Sequence, residues 1–204
     1  MKKLTSIITE TEKILEEIKS IKNGDEHFVF GFDFYKYSEM TQDAIIAFPL
    51  LMHTIVEKTI TKTIEDNPYL FQKYEDHANP FENFIDTGDG GFLILKNPLE
   101  AIAFILNFSI YLRVYNAYFD AQNLYDIIGE VNVRFAITKG NVYQFKQNYY
   151  GDAIIKCARI LSKDKLNRFL IDYETHKWFL SNSLLTFFRT HFYAAFNSNS
   201  SGLT

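Results

Sequence analysis

The sequence predicts an α+β sandwich, with helices on one face of a mostly antiparallel sheet. Three observations predict it. HFVFGFDF (27–34) alternates apolar and small or polar residues with a period of two, as a half-buried strand does. ENFIDTGDGGFLIL (82–95) and VNVRFAITKGNVYQFK (131–146) each read as two apolar runs about a glycine-containing turn. Between these strands lie long apolar stretches at helical spacing, and strand runs mixed with covering helices define this class.

In chain order, Ile7, Ile8, Ile14, Leu15, Ile18 and Ile21 form one face of a helix over 4–22, which Asn23-Gly24 stops. Residues 1–24 are therefore an N-terminal amphipathic helix ahead of a domain at 25–196. A helix follows the first strand over 39–64, carrying Ala44, Ile45, Phe48, Leu51, Met52, Ile55 and Ile60, with a kink or break expected at Pro49. Residues 65–82 read as irregular, with Asn67-Pro68 and Asn79-Pro80. Asn97-Pro98 opens a helix over 98–118. Lys139-Gly140 is expected to turn the second hairpin. Residues 153–162 read as a helix, 168–179 as a strand and then a helix, and 184–196 as a last strand. The tail at 197–204, NSNSSGLT, reads as disordered.

Composition narrows the function. Of 204 residues 47% are apolar, enough for one core at this length. The 20 Phe and 13 Tyr first of all fill strands and core. With 21 basic and 25 acidic residues the net charge is −4, which disfavours a general nucleic-acid binder. An anionic small substrate is compatible with that charge, because a bound cation supplies the local positive field. Cys157 is the single cysteine, so no intrachain disulfide forms, which fits a reducing compartment. The charged N-terminus lacks the apolar stretch of a signal peptide, and no run of about 18 apolar residues appears. A cytoplasmic protein without membrane contact is expected.

Two carboxylates carry the chemistry. Asp33 ends an otherwise apolar strand, and alone it is as well explained as a cap on the next helix. Asp89 lies in the Gly88-Asp89-Gly90-Gly91 turn, where Asp-Gly is good turn chemistry. If the two strands pair, both carboxylates reach one edge of the sheet, where they repel unless a cation lies between them. Oxygen ligands suit Mg²⁺ or Mn²⁺, completed by phosphate and water. In YYGDAIIKCARIL (149–161), Gly151-Asp152 opens a helix and Lys156 and Arg159 lie three apart. An ordinary solvated face explains them; an Arg that balances charge on phosphorus is the functional alternative.

FGFDFYKYSEM resembles the first metal-ligand motif of class III adenylyl and guanylyl cyclases, and DTGDGGFLIL resembles their second. VRFAITKGNVYQF is similar to the strand pair that follows in that family, and NYYGDAIIKCARILSK to the segment with the transition-state residues. The four matches stand in family order over about residues 27–180. The resemblance implies a ferredoxin-like sheet and a head-to-tail homodimer with active sites shared across the interface. It implies that Asp33, Asp89 and the carbonyl of Phe34 hold two divalent ions, Mn²⁺ or Mg²⁺, and that Arg159 of the other chain stabilises the transition state.

The departures from the family pattern are as informative. Ile155 stands where the family has a ribose-positioning Asn, and Ile85 and Asn148 stand at the two purine-reading positions. No clear equivalent of the Lys that grips the terminal phosphate is found; Lys177 and Arg189 are weak substitutes. Ile85 makes no hydrogen bond, while the Asn148 amide offers a donor and an acceptor, as a pyrimidine edge requires. The chain thus resembles the pyrimidine cyclases of Pycsar antiphage systems. That resemblance implies a uridylate or cytidylate cyclase, with UTP ahead of CTP, whose cyclic product activates a separate effector. The alternatives are a purine cyclase with unusual base contacts, a non-catalytic nucleotide-binding or dimerisation module and, less well matched at the Thr87–Gly90 turn, a diguanylate cyclase.

Overall fold

A computed structural model of the chain describes residues 12–15, 25–71, 84–145 and 148–182. It is the expected α+β class. A mostly antiparallel sheet runs in the order β2-β3-β1-β4-β5, from strands β1 (Asp25–Phe34), β2 (Ile85–Asp86), β3 (Gly90–Leu95), β4 (Val133–Phe145) and β5 (Asn148–Tyr150). Strand β6 (Phe169–Ile171) adds to β4 in parallel. The helices are α1 (Gln42–Asp66), α2 (Pro68–Phe71), α3 (Pro98–Asn116), α4 (Gln122–Ile128), α5 (Asp152–Lys163) and α6 (Tyr173–Asn182).

Strand β1 lies in the middle of the sheet and dictates both of its faces. Its even positions Phe28, Phe30, Phe32 and Phe34 are all buried in the larger core. Phe48, Leu51, Met52 and Ile55 of α1 and Ala101, Phe104 and Phe108 of α3 close over them. The rings meet edge-on or offset, Phe30 to Phe104 at 5.3 Å and Phe34 to Phe48 at 4.8 Å, the arrangements that ring quadrupoles favour. The odd positions Val29, Gly31 and Asp33 face the other way.

That second face is also covered, which corrects the one-sided sandwich. Ala153, Cys157 and Leu161, four residues apart on α5, pack with Val29, Ile94, Ala136 and Val142 in a smaller cluster. Small residues let the helix come close. A Cβ on Gly31 would lie 2.6 Å from the Cys157 sulfur, so only glycine fits there. Partly buried Ile154 and Ile160 pack beside Ala153, Cys157 and Leu161, so α5 turns a defined apolar side to the sheet.

Three further readings change. Pro49 does not break α1, which runs unbroken from Gln42 to Asp66. Pro49 is exposed, so the carbonyl its ring leaves unpaired is on the wet side, while buried Phe48, Leu51 and Met52 hold the helix to the sheet. Lys139-Gly140 is not a turn. It lies within the 13-residue strand β4, paired with Phe28 and His27 of β1. On its other edge the Lys139 N–H donates to the Asp172 carboxylate at 3.2 Å, so both sides of the backbone are engaged. The antiparallel partner of the end of β4 is instead β5, with Phe145 opposite Asn148. Helix α4 was not foreseen.

Residues 12–15 are helical, as expected of the N-terminal helix. The rest of that helix, the strand expected over 184–196 and the tail at 197–204 lie outside the described residues. By length and composition α1 and α3 are apolar enough to cross a membrane. Both contribute side chains to the larger core.

Candidate active site

β1 and the β2–β3 hairpin bring the two predicted aspartates together. In the antiparallel register Asp33 lies opposite Gly90, the residue after Asp89. The turn is tied down by its own polar groups. Gly88 N–H donates to the Asp86 carboxylate at 2.7 Å, Thr87 N–H to the Gly90 carbonyl at 3.1 Å, and the Thr87 hydroxyl to Asp89 Oδ1 at 3.4 Å. Phe34 N–H donates to the Asp89 carbonyl at 2.8 Å, fixing the turn to the end of β1. A Cβ on Gly90 would lie 2.1 Å from the Phe32 carbonyl oxygen, so glycine is what allows the turn so close to Asp33. Asp33 does not cap the next helix; Thr41 does, accepting from Ala44 N–H at 3.3 Å.

Arg134 of β4, directly across from Asp33 in the β1–β4 register, ion-pairs with its carboxylate. Both side chains are largely shielded, at 14% and 17% exposure. The same guanidinium donates to the Asp164 carbonyl at 2.7 Å and lies 5.3 Å from the Tyr35 ring centre. Burial pulls the Arg134 pKa below its usual value, against the pull of the Asp164 charge. Asp164 itself caps the end of α5 and is almost fully buried. Burial acts to raise its carboxyl pKa. The Arg168 backbone and side-chain donors and Leu166 N–H outweigh that and hold it below the usual range. Sequence reasoning missed Arg134. The signal that finds it is register, since an Arg inside an apolar strand opposite a strand-end Asp has a ready partner.

Arg159 and Ile155 occupy the outer side of α5, one turn apart, both exposed; Ile155 is 52% accessible. The helix buries Ala153, Cys157 and Leu161, so Arg159 projects away from the sheet that carries Asp33. Lys156, between them, is tied to Asp152 at 2.6 Å, which holds the Asp152 carboxyl below and the Lys156 ammonium above their usual pKa values. Ile85 and Asn148 are on the two edge strands, β2 and β5. Ile85 pairs with Phe92 and packs on one side of the smaller core, while Asn148 is exposed on the far edge strand. Lys177 pairs with Glu174 at 2.7 Å on α6. The next residue, Trp178, packs on Phe28, five residues before Asp33 and about 17 Å from it along the strand. Arg189 lies outside the described residues.

The donors at this end of the sheet suit a divalent ion. Asp33 and Asp89 supply carboxylates. In a strand, a residue's N–H and C=O point the same way, so the Phe34 carbonyl is turned towards the Asp89 turn that receives its N–H. The set is all oxygen, the preference of Mg²⁺ and Mn²⁺. Among the described residues no group of three or more His, Cys, Asp or Glu side chains is placed to hold a metal.

No family sequence model matches the chain, and no curated protein matches it by sequence. Solved structures do. An adenylate/guanylate cyclase/hydrolase from Silicibacter pomeroyi superposes with a TM-score of 0.55 at 13% identity, over 78% of this chain and 82% of that one. The chain has a cyclase-domain fold. At that identity the likeness concerns the fold. The catalytic core of a rhodopsin-guanylyl cyclase with converted specificity, in complex with ATPαS, is also similar: TM-score 0.47, 14% identity, over 76% of this chain and 81% of that one. A bacterial light-regulated adenylyl cyclase matches at 0.46 and 15% identity, over 78% of this chain and 50% of that one.

Proposed function

We propose that the chain is a nucleotidyl cyclase that converts a pyrimidine nucleoside triphosphate, UTP ahead of CTP, to its 3′,5′-cyclic monophosphate and pyrophosphate. The observation that carries this reading is the register that sets Asp33 beside the Asp89 turn, on a cyclase-domain fold, with Arg159 facing outward. In a homodimer the Arg159 of one chain meets the aspartate end of the other, which makes the site shared. Asp33, Asp89 and the Phe34 carbonyl would hold two divalent ions. When bound, these supply the charge that acidifies the ribose 3′-hydroxyl and stabilises departing pyrophosphate. Arg159 balances charge on the α-phosphoryl group, an electrostatic contribution that needs no proton transfer.

Ile85, apolar and packed, gives no base contact by hydrogen bond, whereas the exposed Asn148 amide has both a donor and an acceptor. These support a pyrimidine. A cyclic pyrimidine nucleotide of this kind acts on a separate effector, as part of an antiphage response. One observation favours a second reading. The Asp33–Arg134 pair neutralises the Asp33 carboxylate within the chain, which suits a module that binds nucleotide or dimerises without turnover.

One assay separates the readings. ATP, GTP, CTP and UTP are each incubated with the chain and Mn²⁺, and cyclic product is measured by mass spectrometry. Cyclic UMP as the main product is expected. Cyclic AMP or GMP would replace the pyrimidine assignment, and no product from any of the four would favour the non-catalytic module. Mixed Asp33→Ala and Arg159→Ala chains are expected to regain product. A proven heterodimer without product would end the shared-site reading.

A further inference from the structure

We propose that Arg134 is a positioning residue for metal binding: a built-in counter-cation of Asp33 that an incoming divalent ion must displace. The inference rests on the metal-site reading above and adds what controls that site. Two carboxylates at the end of β1 and in the facing turn repel each other when no cation is near. Arg134 sets a positive charge against Asp33, through an ion pair between two largely shielded side chains. A guanidinium does not lose its proton, so this charge leaves Asp33 only by moving. Where it stays, it repels the metal.

The surroundings give the guanidinium somewhere to go. Its other terminal nitrogen already donates to the Asp164 carbonyl at 2.7 Å, and its face lies against Tyr35 at 5.3 Å. Its Nε is buried without a hydrogen-bond partner, so one donor is unspent in the paired state. Arg134 can therefore release Asp33 and still be held by Asp164 and Tyr35. The Asp164 anchor is the cap of α5, the helix that carries Arg159.

A purely structural Arg134 and a counter-cation differ in the sign of one measurement. The full-length chain, stripped of metal, is titrated with Mn²⁺ alone, and free Mn²⁺ is read by electron paramagnetic resonance. Wild type, Arg134→Gln and Asp89→Asn are compared. Arg134→Gln is expected to bind Mn²⁺ on the order of tenfold tighter than wild type, because the competing charge is gone. Its melting temperature is expected to rise more on Mn²⁺ addition.

Equal or weaker binding by Arg134→Gln, with binding still weakened by Asp89→Asn, would overturn the counter-cation role and leave the metal site standing. Binding insensitive to Asp89→Asn would overturn the metal-site reading and this proposal with it. If Arg134→Gln does not fold, the Arg134 Nε–H NMR signal of the wild-type chain takes its place. Displacement by Mg²⁺ shifts that signal. An unmoved signal at saturation that depends on Asp89 overturns the proposal.

Discussion

The two faces of the sheet are made from the same strand and do opposite work. Even positions of β1 place four phenylalanines under α1 and α3, where rings fill a thick core. Odd positions place Val29, Gly31 and Asp33 under α5, where the residues are small and the last one is charged. The first face holds the molecule together by volume. The second keeps a helix close and ends in a cluster of Asp33, Arg134, Tyr35 and Asp164. Period-two geometry thus lets one strand give stability to one side and chemistry to the other. Substitutions on the two faces should fail in different ways.

The largest effect is expected on the aromatic face. Phe104, fully buried against Phe30, Phe32 and Phe108, becomes a large cavity as Phe104→Ala. The loss should be about 3–5 kcal/mol in urea unfolding, with metal binding retained by whatever fraction stays folded. A loss under about 1 kcal/mol would mean that the faces do not divide stability as described. On the chemical face, Asp89→Ala should leave the melting temperature within a few degrees of wild type. Turnover should fall by about 10²–10³, read by cyclic-product assay. A variant that kept parental turnover would remove Asp89 from the site.

The smallest effect tests the packing of α5. Burial raises the Cys157 thiol from its usual 9.0 to about 12, because the folded chain disfavours a thiolate in that cluster. A group raised on folding contributes its full stability below the unfolded value and loses it as pH rises towards the folded one. Stability should therefore fall between pH 9 and 12, by about 1 kcal/mol at pH 10. Cys157→Ala should flatten that part of the curve in denaturant titrations at stepped pH. An unchanged slope would mean that another group titrates there.

The sequence reveals the first face more fully than the second. The alternation of HFVFGFDF and the helical spacing of Phe48, Leu51, Met52 and Ile55 both survive intact, because each pattern is set by burial on a wide apolar layer. The meeting of Asp33 with the Asp89 turn was legible for a different reason. A strand-end acid and a glycine-rich turn converge whenever their strands pair. Arg134 was not legible, since its partner is a hundred residues earlier in sequence and only register joins them. Lys139-Gly140 misled because a Lys-Gly pair has turn chemistry. Its backbone groups are instead engaged from both sides by β1 and Asp172. The side on which α5 packs, marked by Ala153, Cys157 and Leu161 with Ile154 and Ile160 beside them, was blurred in the sequence by Ile155, which lies exposed among the basic residues.

The unbroken length of β4 has a consequence for how this chain can diverge. Arg134 and Gly140 sit on one ruler, each read against a fixed partner in β1, Asp33 and His27. Adding or removing one residue between them would swap the sides of everything beyond it, turning either Arg134 inward and Phe135 outward or Val142 out of its cluster. Relatives can thus lengthen or shorten this strand only two residues at a time, or by a bulge that restores the phase. The count from Arg134 to Gly140 is thus fixed by two packed faces at once, which no surface loop of the chain has to satisfy.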